Sequence, residues 1–263
     1  MRGAFASEWV KLRRRGMLLW GFGGGLFFAV LATVFTIERA VRTFVFPTGH
    51  GVRVTFAVLE QPDGLVHGIV DVSPLIGVVA LCIFAGAFAT EYSQGTLRNL
   101  LVREPRRVRL LSGKFLALAV FIGLAVIVEI VVSSAVAFAL APGRGIATGA
   151  WTSSAGVNDM LAAALHVYLA CVGYGVLGTA LGVLLRSPGV AIALGVAFVL
   201  PVEAIVVGVI WSAGDRWLPG HLLGALAQGG TDEVSYRHAL VTLGVYAAVT
   251  AAATLALFRR RDA

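Results

Sequence analysis

Charged side chains are scarce in this sequence. They make up 13% of its 263 residues, against about 25% in a typical soluble domain, while 58% of the residues are hydrophobic. A water-soluble fold of this size must cover its surface with polar groups, and this chain has too few of them. The composition therefore argues against a soluble enzyme or a soluble binding domain.

Motifs for metal, disulfide and nucleotide chemistry are also missing. The two cysteines, Cys82 and Cys171, lie inside apolar stretches, and the five histidines show no metal-binding spacing. A P-loop requires a second glycine followed by Lys and Ser or Thr. At Gly113-Lys114 the next residue is Phe115, and Val108 stands where the first glycine should be. We therefore expect no metal site, no cofactor bound by this chain and no enzymatic activity of its own.

Long apolar runs are what the sequence has instead. A transmembrane helix needs about 20 mostly apolar residues to cross about 30 Å of hydrocarbon. Six segments meet this length, at residues 17–37, 65–90, 115–141, 160–185, 188–212 and 239–258. We predict an all-α, polytopic integral membrane protein with six transmembrane helices and a single transmembrane domain over residues 1–263.

The distribution of Lys and Arg predicts the orientation of these helices. With both termini in the cytoplasm, the inner segments carry 15 of the 21 basic residues and the outer loops carry six. Cytoplasmic loops are enriched in Lys and Arg, so this orientation is favoured. It also accounts for the net charge of +7 without a nucleic-acid partner. The predicted location is the cell membrane.

Three segments between or before the spans carry weaker patterns. In residues 1–16, Phe5, Trp9 and Leu12 share a helix face, which is typical of an interfacial helix with its basic residues toward lipid headgroups; an irregular basic tail is the alternative. Alternating apolar residues from Val52 to Val58 give a weak strand signal. The apolar piece from His221 to Ala227 is too short to span and predicts a re-entrant or interfacial segment before the last helix.

Glycines recur at four-residue spacing within two of the spans. Gly173-Tyr174-Gly175-Val176-Leu177-Gly178 matches a dinucleotide-binding pattern, but it lies inside an apolar span and not at a strand-to-helix turn. With Gly182, the spacing predicts close packing between helices. The spacing of Gly21 and Gly25 predicts close packing of the first span in the same way.

Five polar residues inside the predicted spans are candidates for a substrate pathway. A carboxylate near the bilayer centre costs roughly 2.5–3.5 kcal/mol on insertion scales, so each should face a partner or a wet cavity. The five residues are His67, Asp71, Glu129, His166 and Glu203. His67 and Asp71 are spaced to pair, and Pro74 and Pro201 should loosen the helix beside two of the acids. Structural pairing between helices is the alternative interpretation.

The inner loop at residues 91–114 has the densest pattern in the chain. Thr96 is a plausible helix N-cap, and Leu97, Leu100 and Leu101 form an apolar stripe. Pro105 favours an extended backbone at Glu104, so this helix should be short. A short helix in a basic loop needs a surface against which its apolar stripe can be buried. The alternative is that it lies in the headgroup layer and that its arginines serve only topology.

This loop resembles the ABC-2 type permeases, the membrane subunits of ATP-binding cassette exporters. The match is carried by Glu-x-x-x-Gly-Thr-Leu-x-x-Leu-Leu, a Pro-basic stretch and a Gly-Lys pair at the next span. Its residues are Glu91, Gly95, Thr96, Leu97, Leu100, Leu101, Pro105, Arg107 and Lys114. The six-span layout, the amphipathic N-terminus and the short apolar piece before the last span agree with the same family.

The resemblance implies a mechanism and a set of partners. Two permease subunits, as a homodimer or a heterodimer, would each dock a coupling helix into one of two P-loop ATPase subunits, which would hold the ATP and Mg²⁺. Arg98 and Arg106, with Arg107, would then lie at the rim of that contact. A secondary, proton-coupled transporter that uses Asp71, Glu129 and Glu203 is the alternative from a different class. Such carriers usually show two halves with paired broken helices, which are not evident in this sequence.

Overall fold

The computed structural model describes residues 2–42, 54–95 and 107–260. Within these ranges the fold is helical, and six helices are long and apolar enough to cross a membrane. The six are Arg15–Glu38, Ser73–Ser93, Val108–Arg144, Ser154–Leu185, Pro188–Ile210 and Tyr236–Leu257, called here the first to sixth spans. The prediction of an all-α protein with six spans is confirmed, and the chain has the architecture of a multi-pass membrane protein.

The second span begins later than the sequence indicated. The 3-10 turn Pro62–Leu65 and the short helix His67–Asp71 precede it, and the helix of the span runs from Ser73 to Ser93. Pro74 occupies the first turn of that helix, where no backbone donor is needed. The prediction that Pro74 loosens a helix interior is therefore wrong, and Asp71 lies just before the span instead of within it.

The strand signal between the first and second spans was misleading. Phe56–Leu59 forms a single helical turn, and the extended pairing there is one isolated bridge between Val41 and Thr55. Alternation over so few residues does not determine a strand without a partner strand to pair with. Val52 lies outside the described residues.

The second and fourth spans pack closely against each other along their backbones. Gly178 and Gly182 lie against the backbone of Leu81 and Ala85, so close that a Cβ on either glycine would meet a carbonyl oxygen. Gly175 packs on the ring of Phe84 in the same way. The predicted role of these glycines in helix packing is confirmed, because only a residue without a side chain permits this approach.

The fifth span is irregular where it carries Glu203. Two π-helical turns, Phe198–Val202 and Val206–Ile210, flank Glu203–Ile205, and Pro201 lies in the first of them. A proline removes a backbone donor from a helix interior, so the loosening predicted at Pro201 is confirmed. After the span, the short helix Pro219–Ala227 folds back into the protein with Leu222 and Leu223 fully buried. We call this segment the return helix.

Candidate functional site

Four charged side chains meet where the N-terminal helix Arg2–Leu12 crosses the ends of the second and third spans. Lys114 Nζ lies 2.6 Å from Glu91 Oε1 and 3.5 Å from Glu8 Oε1. Lys11 Nζ lies 2.8 Å from Glu91 Oε1 and 3.0 Å from Glu8 Oε2. We call these four residues the Lys114 cluster. Its two acids and two bases balance in formal charge.

Lys114 is the most deeply buried member of the cluster, with a side chain that is 4% exposed. Besides its ion pairs, its ammonium donates a hydrogen bond to the carbonyl of Ala87 at 2.8 Å and lies 5.0 Å from the centre of the Phe88 ring. A buried ammonium is tolerated only when its charge and its donors are satisfied. All of these partners except Glu8 belong to the second span, so Lys114 links the third span to the second span.

The N-terminal helix packs on the protein through its predicted apolar face, which consists of Phe5, Trp9 and Leu12. Glu8 is buried, and Lys11 is half-buried between Glu8 and Glu91. Burial opposes the charged form of Lys11, but the hydrogen bonds and charges of Glu91 and Glu8 outweigh it and raise its pKa above the ordinary value. Lys11 thus pairs with two acids of the protein, and the orientation of the basic residues of this helix toward lipid headgroups stays a prediction.

The cluster joins the two ends of the family-like loop. Glu91 closes the second span and Lys114 lies in the first turns of the third-span helix Arg107–Arg144. Gly95 leaves the second span with φ of 65°, a left-handed conformation that favours glycine. Thr96, Leu97, Arg98, Leu100, Leu101, Pro105 and Arg106 lie outside the described residues, as does the side chain of Arg107, so their predicted contacts with an ATPase stay predictions.

The candidate pathway residues lie in separate surroundings. His67 Nε2 is 3.5 Å from Asp71 Oδ2, so the predicted pair forms, but on the short helix before the second span. Burial raises the pKa of Asp71, and the charge of His67 opposes that shift. His166 packs against the ring of Tyr236, with ring centres 4.7 Å apart. No ion pair or hydrogen bond among the described residues links these groups to Glu129 or Glu203.

Glu129 is buried in the middle of the third span with a side chain that lies against the first span. Its Oε1 occupies the space over Gly25 where a Cβ would otherwise be, and its Oε2 has no hydrogen-bond partner among the described residues. Ser133, one turn further along, also has an unpartnered hydroxyl. Gly25 thus creates room for a carboxyl group, in addition to bringing helices together.

Glu203 caps the return helix. Its two carboxylate oxygens accept hydrogen bonds from the backbone N–H groups of Gly220 at 3.0 Å and His221 at 3.1 Å. The first N–H groups of a helix have no partner inside it, and a carboxylate there also matches the helix dipole. The side chain is 1% exposed. Glu203 therefore has the structural role that the alternative interpretation assigned to it, though the partner is backbone and not another side chain.

Removing this cap should loosen the return helix. In Glu203→Ala the buried N–H of Gly220 and the partly buried N–H of His221 lose their acceptor, at a cost of about 1–3 kcal/mol. We expect a lower thermal midpoint, measured by the reaction of a thiol dye with Cys171, which is fully buried in the folded protein. Asp232→Ala, which removes an exposed carboxylate a few residues after the return helix, is the matched control. An equal loss in both variants would contradict the capping role.

Sequence reasoning missed three residues of these arrangements. Glu8 and Lys11 had the spacing of an ion pair, but nothing in the sequence indicated that Glu91 and Lys114 would meet them. Tyr174 was interpreted only as part of a glycine-rich packing motif, yet it is buried with an unpartnered hydroxyl. A polar aromatic residue inside an apolar span was the available signal.

Family comparison covers nearly the whole chain. Residues 26–263 match the family described as "Protein of unknown function (DUF2705)". The chain belongs to this family. A search among curated proteins finds no match.

Proposed function

We propose that this protein is the membrane subunit of an ATP-binding cassette exporter of the ABC-2 type. The observation that carries the proposal is the Lys114 cluster. Glu91 and Lys114 are the first and last residues of the family-like motif, and they pair at 2.6 Å while both contact the N-terminal helix. Both ends of the loop are therefore held together by the Lys114 cluster.

The Lys114 cluster is suited to transmit a movement of the ATPase subunit to the membrane spans. A docked ATPase would move the coupling helix at residues 97–101, and this displacement would act on the second and third spans together because the Lys114 cluster links them. The N-terminal helix, held by Glu8 and Lys11, would follow. Apolar docking of a short helix into a groove is a common recognition mode.

The same proposal assigns orientation and partners. The N-terminal helix lies at the cytoplasmic face with both chain termini, and the return helix lies toward the outside as a re-entrant segment. Two P-loop ATPase subunits bind the ATP and Mg²⁺, and a second permease subunit completes the pathway in the cell membrane. The basic residues, 15 of 21 in the inner segments, support this orientation.

A proton-coupled carrier is the second candidate, and one observation favours it. Glu129 is a buried carboxyl group with an unpartnered oxygen in the middle of a span, the position of a proton relay residue. Against it, Glu203 is engaged with backbone N–H groups and Asp71 lies outside the spans with His67. The acids of the predicted set therefore do not share one pathway.

Isolation of the tagged chain from its native membranes tests the proposal. We expect a P-loop ATPase subunit to co-purify in a near one-to-one ratio, and its ATP hydrolysis to depend on the presence of this chain. Recovery of a folded chain with no ATPase, together with proton-driven transport that Glu129→Gln abolishes, would favour the carrier.

A further inference from the structure

A cavity of about 330 Å³ lies between the return helix and the second, fourth and fifth spans. Its apolar wall includes Pro74, Val199 and Leu200, and Gly224 of the return helix faces it. This volume lies within the usual range for small-molecule sites, which are mostly apolar with a few polar groups. The cavity is separate from the Lys114 cluster, which lies at the other end of the second span.

The carboxylate side chains that line the cavity give it negative charge. Asp215 and Glu233 line it, and no Lys or Arg does so among the described residues. The Oδ1 atom of Asp215 is buried and has no hydrogen-bond partner in the described part of the chain. His221 is the lining side chain there that could carry a positive charge. A buried, unpaired carboxylate oxygen is costly unless a donor or a cation meets it.

Tyr174 provides a second, independent indication of a ligand. It lines the cavity, its side chain is 1% exposed, and its hydroxyl has no hydrogen-bond partner among the described residues. Buried tyrosine hydroxyl groups usually find a partner. The carboxylate of Glu203 is occupied by the backbone N–H groups of the return helix. The hydroxyl is thus available to a bound molecule.

We propose that this cavity binds an organic ammonium with an apolar body. The apolar part packs on Pro74, Val199 and Leu200, and the ammonium donates to the Asp215 carboxylate, with the Tyr174 hydroxyl as a second polar contact. The site goes beyond the transport function proposed above and does not require an ATPase partner. A soluble amine and the headgroup of an aminolipid both have this chemistry.

Three probes that share a phenylethyl body and differ in the charge of the end group test the site. Binding of 2-phenylethylamine, 2-phenylethanol and 3-phenylpropionate is measured by calorimetry on the purified full-length chain in nanodiscs of phosphatidylcholine. We expect saturable one-to-one binding of the amine, at least about tenfold tighter than the alcohol, because a hydrogen bond between two charges is worth that much. The carboxylate should bind most weakly. Equal binding of amine and alcohol would overturn the proposal.

Matched variants locate the site. Asp215→Asn should weaken amine binding about tenfold, whereas Asp232→Asn, an exposed charge outside the cavity, should not. Gly224→Leu should block binding, because a Cβ there has only Pro74 Cγ within 4 Å, at 3.8 Å, and the larger side chain enters the cavity. Gly244→Leu, with nothing within 4 Å, is its control. If the two aspartate variants behave alike, the binding is to surface charge and the proposal fails.

Lipid composition distinguishes the two sources of the ammonium group. If an aminolipid occupies the cavity, phosphatidylethanolamine in the nanodisc should weaken amine binding in wild-type protein and not in Gly224→Leu, which already lacks the site. If the ligand is a soluble amine, its affinity should be independent of phosphatidylethanolamine. Weaker amine binding in Asp215→Asn is required in either case, and a normal affinity in that variant overturns both.

Discussion

Lys114→Met is expected to lower the thermal midpoint of the protein by about 10 °C. The substitution removes the buried ammonium from Glu8 and Glu91 and leaves these two buried acids with only the half-exposed ammonium of Lys11. Removing one partner of a buried ion pair costs about 3–5 kcal/mol, and each kcal/mol shifts the midpoint by roughly 2–4 °C in a chain of this size. Thiol-dye unfolding in detergent measures the shift.

The control and the rescue separate charge from packing. Arg109→Met removes an exposed base from the same end of the third-span helix and should change the midpoint little. Adding Glu91→Gln to Lys114→Met removes one of the two repelling carboxylates and should recover part of the loss. If the double variant is less stable than Lys114→Met alone, the cluster does not work by charge pairing.

Leu100→Asp is expected to abolish recovery of an ATPase subunit with this chain. Full burial of Leu97, Leu100 and Leu101 in a groove could contribute about 1.5–3 kcal/mol each to the contact. A carboxylate at position 100 would be buried without a partner and would cost more than the leucine contributed. The measurement is the ratio of ATPase to tagged chain after purification, with membrane insertion checked separately.

Arg106→Ala is the matched substitution for the rim of the same contact. A rim charge influences the rate of encounter more than the final affinity, and salt screens it. The ratio should fall modestly, and more at low salt than at high salt. A complete loss in Arg106→Ala combined with a normal ratio in Leu100→Asp would reverse the assignment of apolar centre and basic rim.

The architecture was predictable because membrane spans are determined by local composition. Apolar length alone placed six spans, and the spacing of Gly178 and Gly182 identified a close helix contact. The start of the second span was predicted wrongly because the helix is interrupted at Val72. One helix ends at Asp71 and the next begins at Ser73, so Asp71 and Pro74 have different roles from those predicted.

The contacts of charged residues were harder to predict because they depend on distant segments. Glu8 meets Lys114, and Lys11 meets Glu91, only after the bundle assembles, so the sequence could not show these pairs. Glu203 was correctly expected to have a partner, but backbone N–H groups carry no sequence signature. The contact of Glu129 was equally hard to predict, because its carboxyl group lies over Gly25, a residue without a side chain.

Photo-crosslinking from position 100 tests most directly whether this chain couples to an ATPase. A photoreactive amino acid replaces Leu100 in one sample and Ala57 in the other; Ala57 is an exposed residue between the first and second spans, on the proposed outer side. The transporter proposal predicts a crosslinked P-loop ATPase subunit from position 100 in native membranes and none from position 57. A correctly inserted chain that crosslinks only to lipid from position 100, or to the ATPase from position 57, would contradict it.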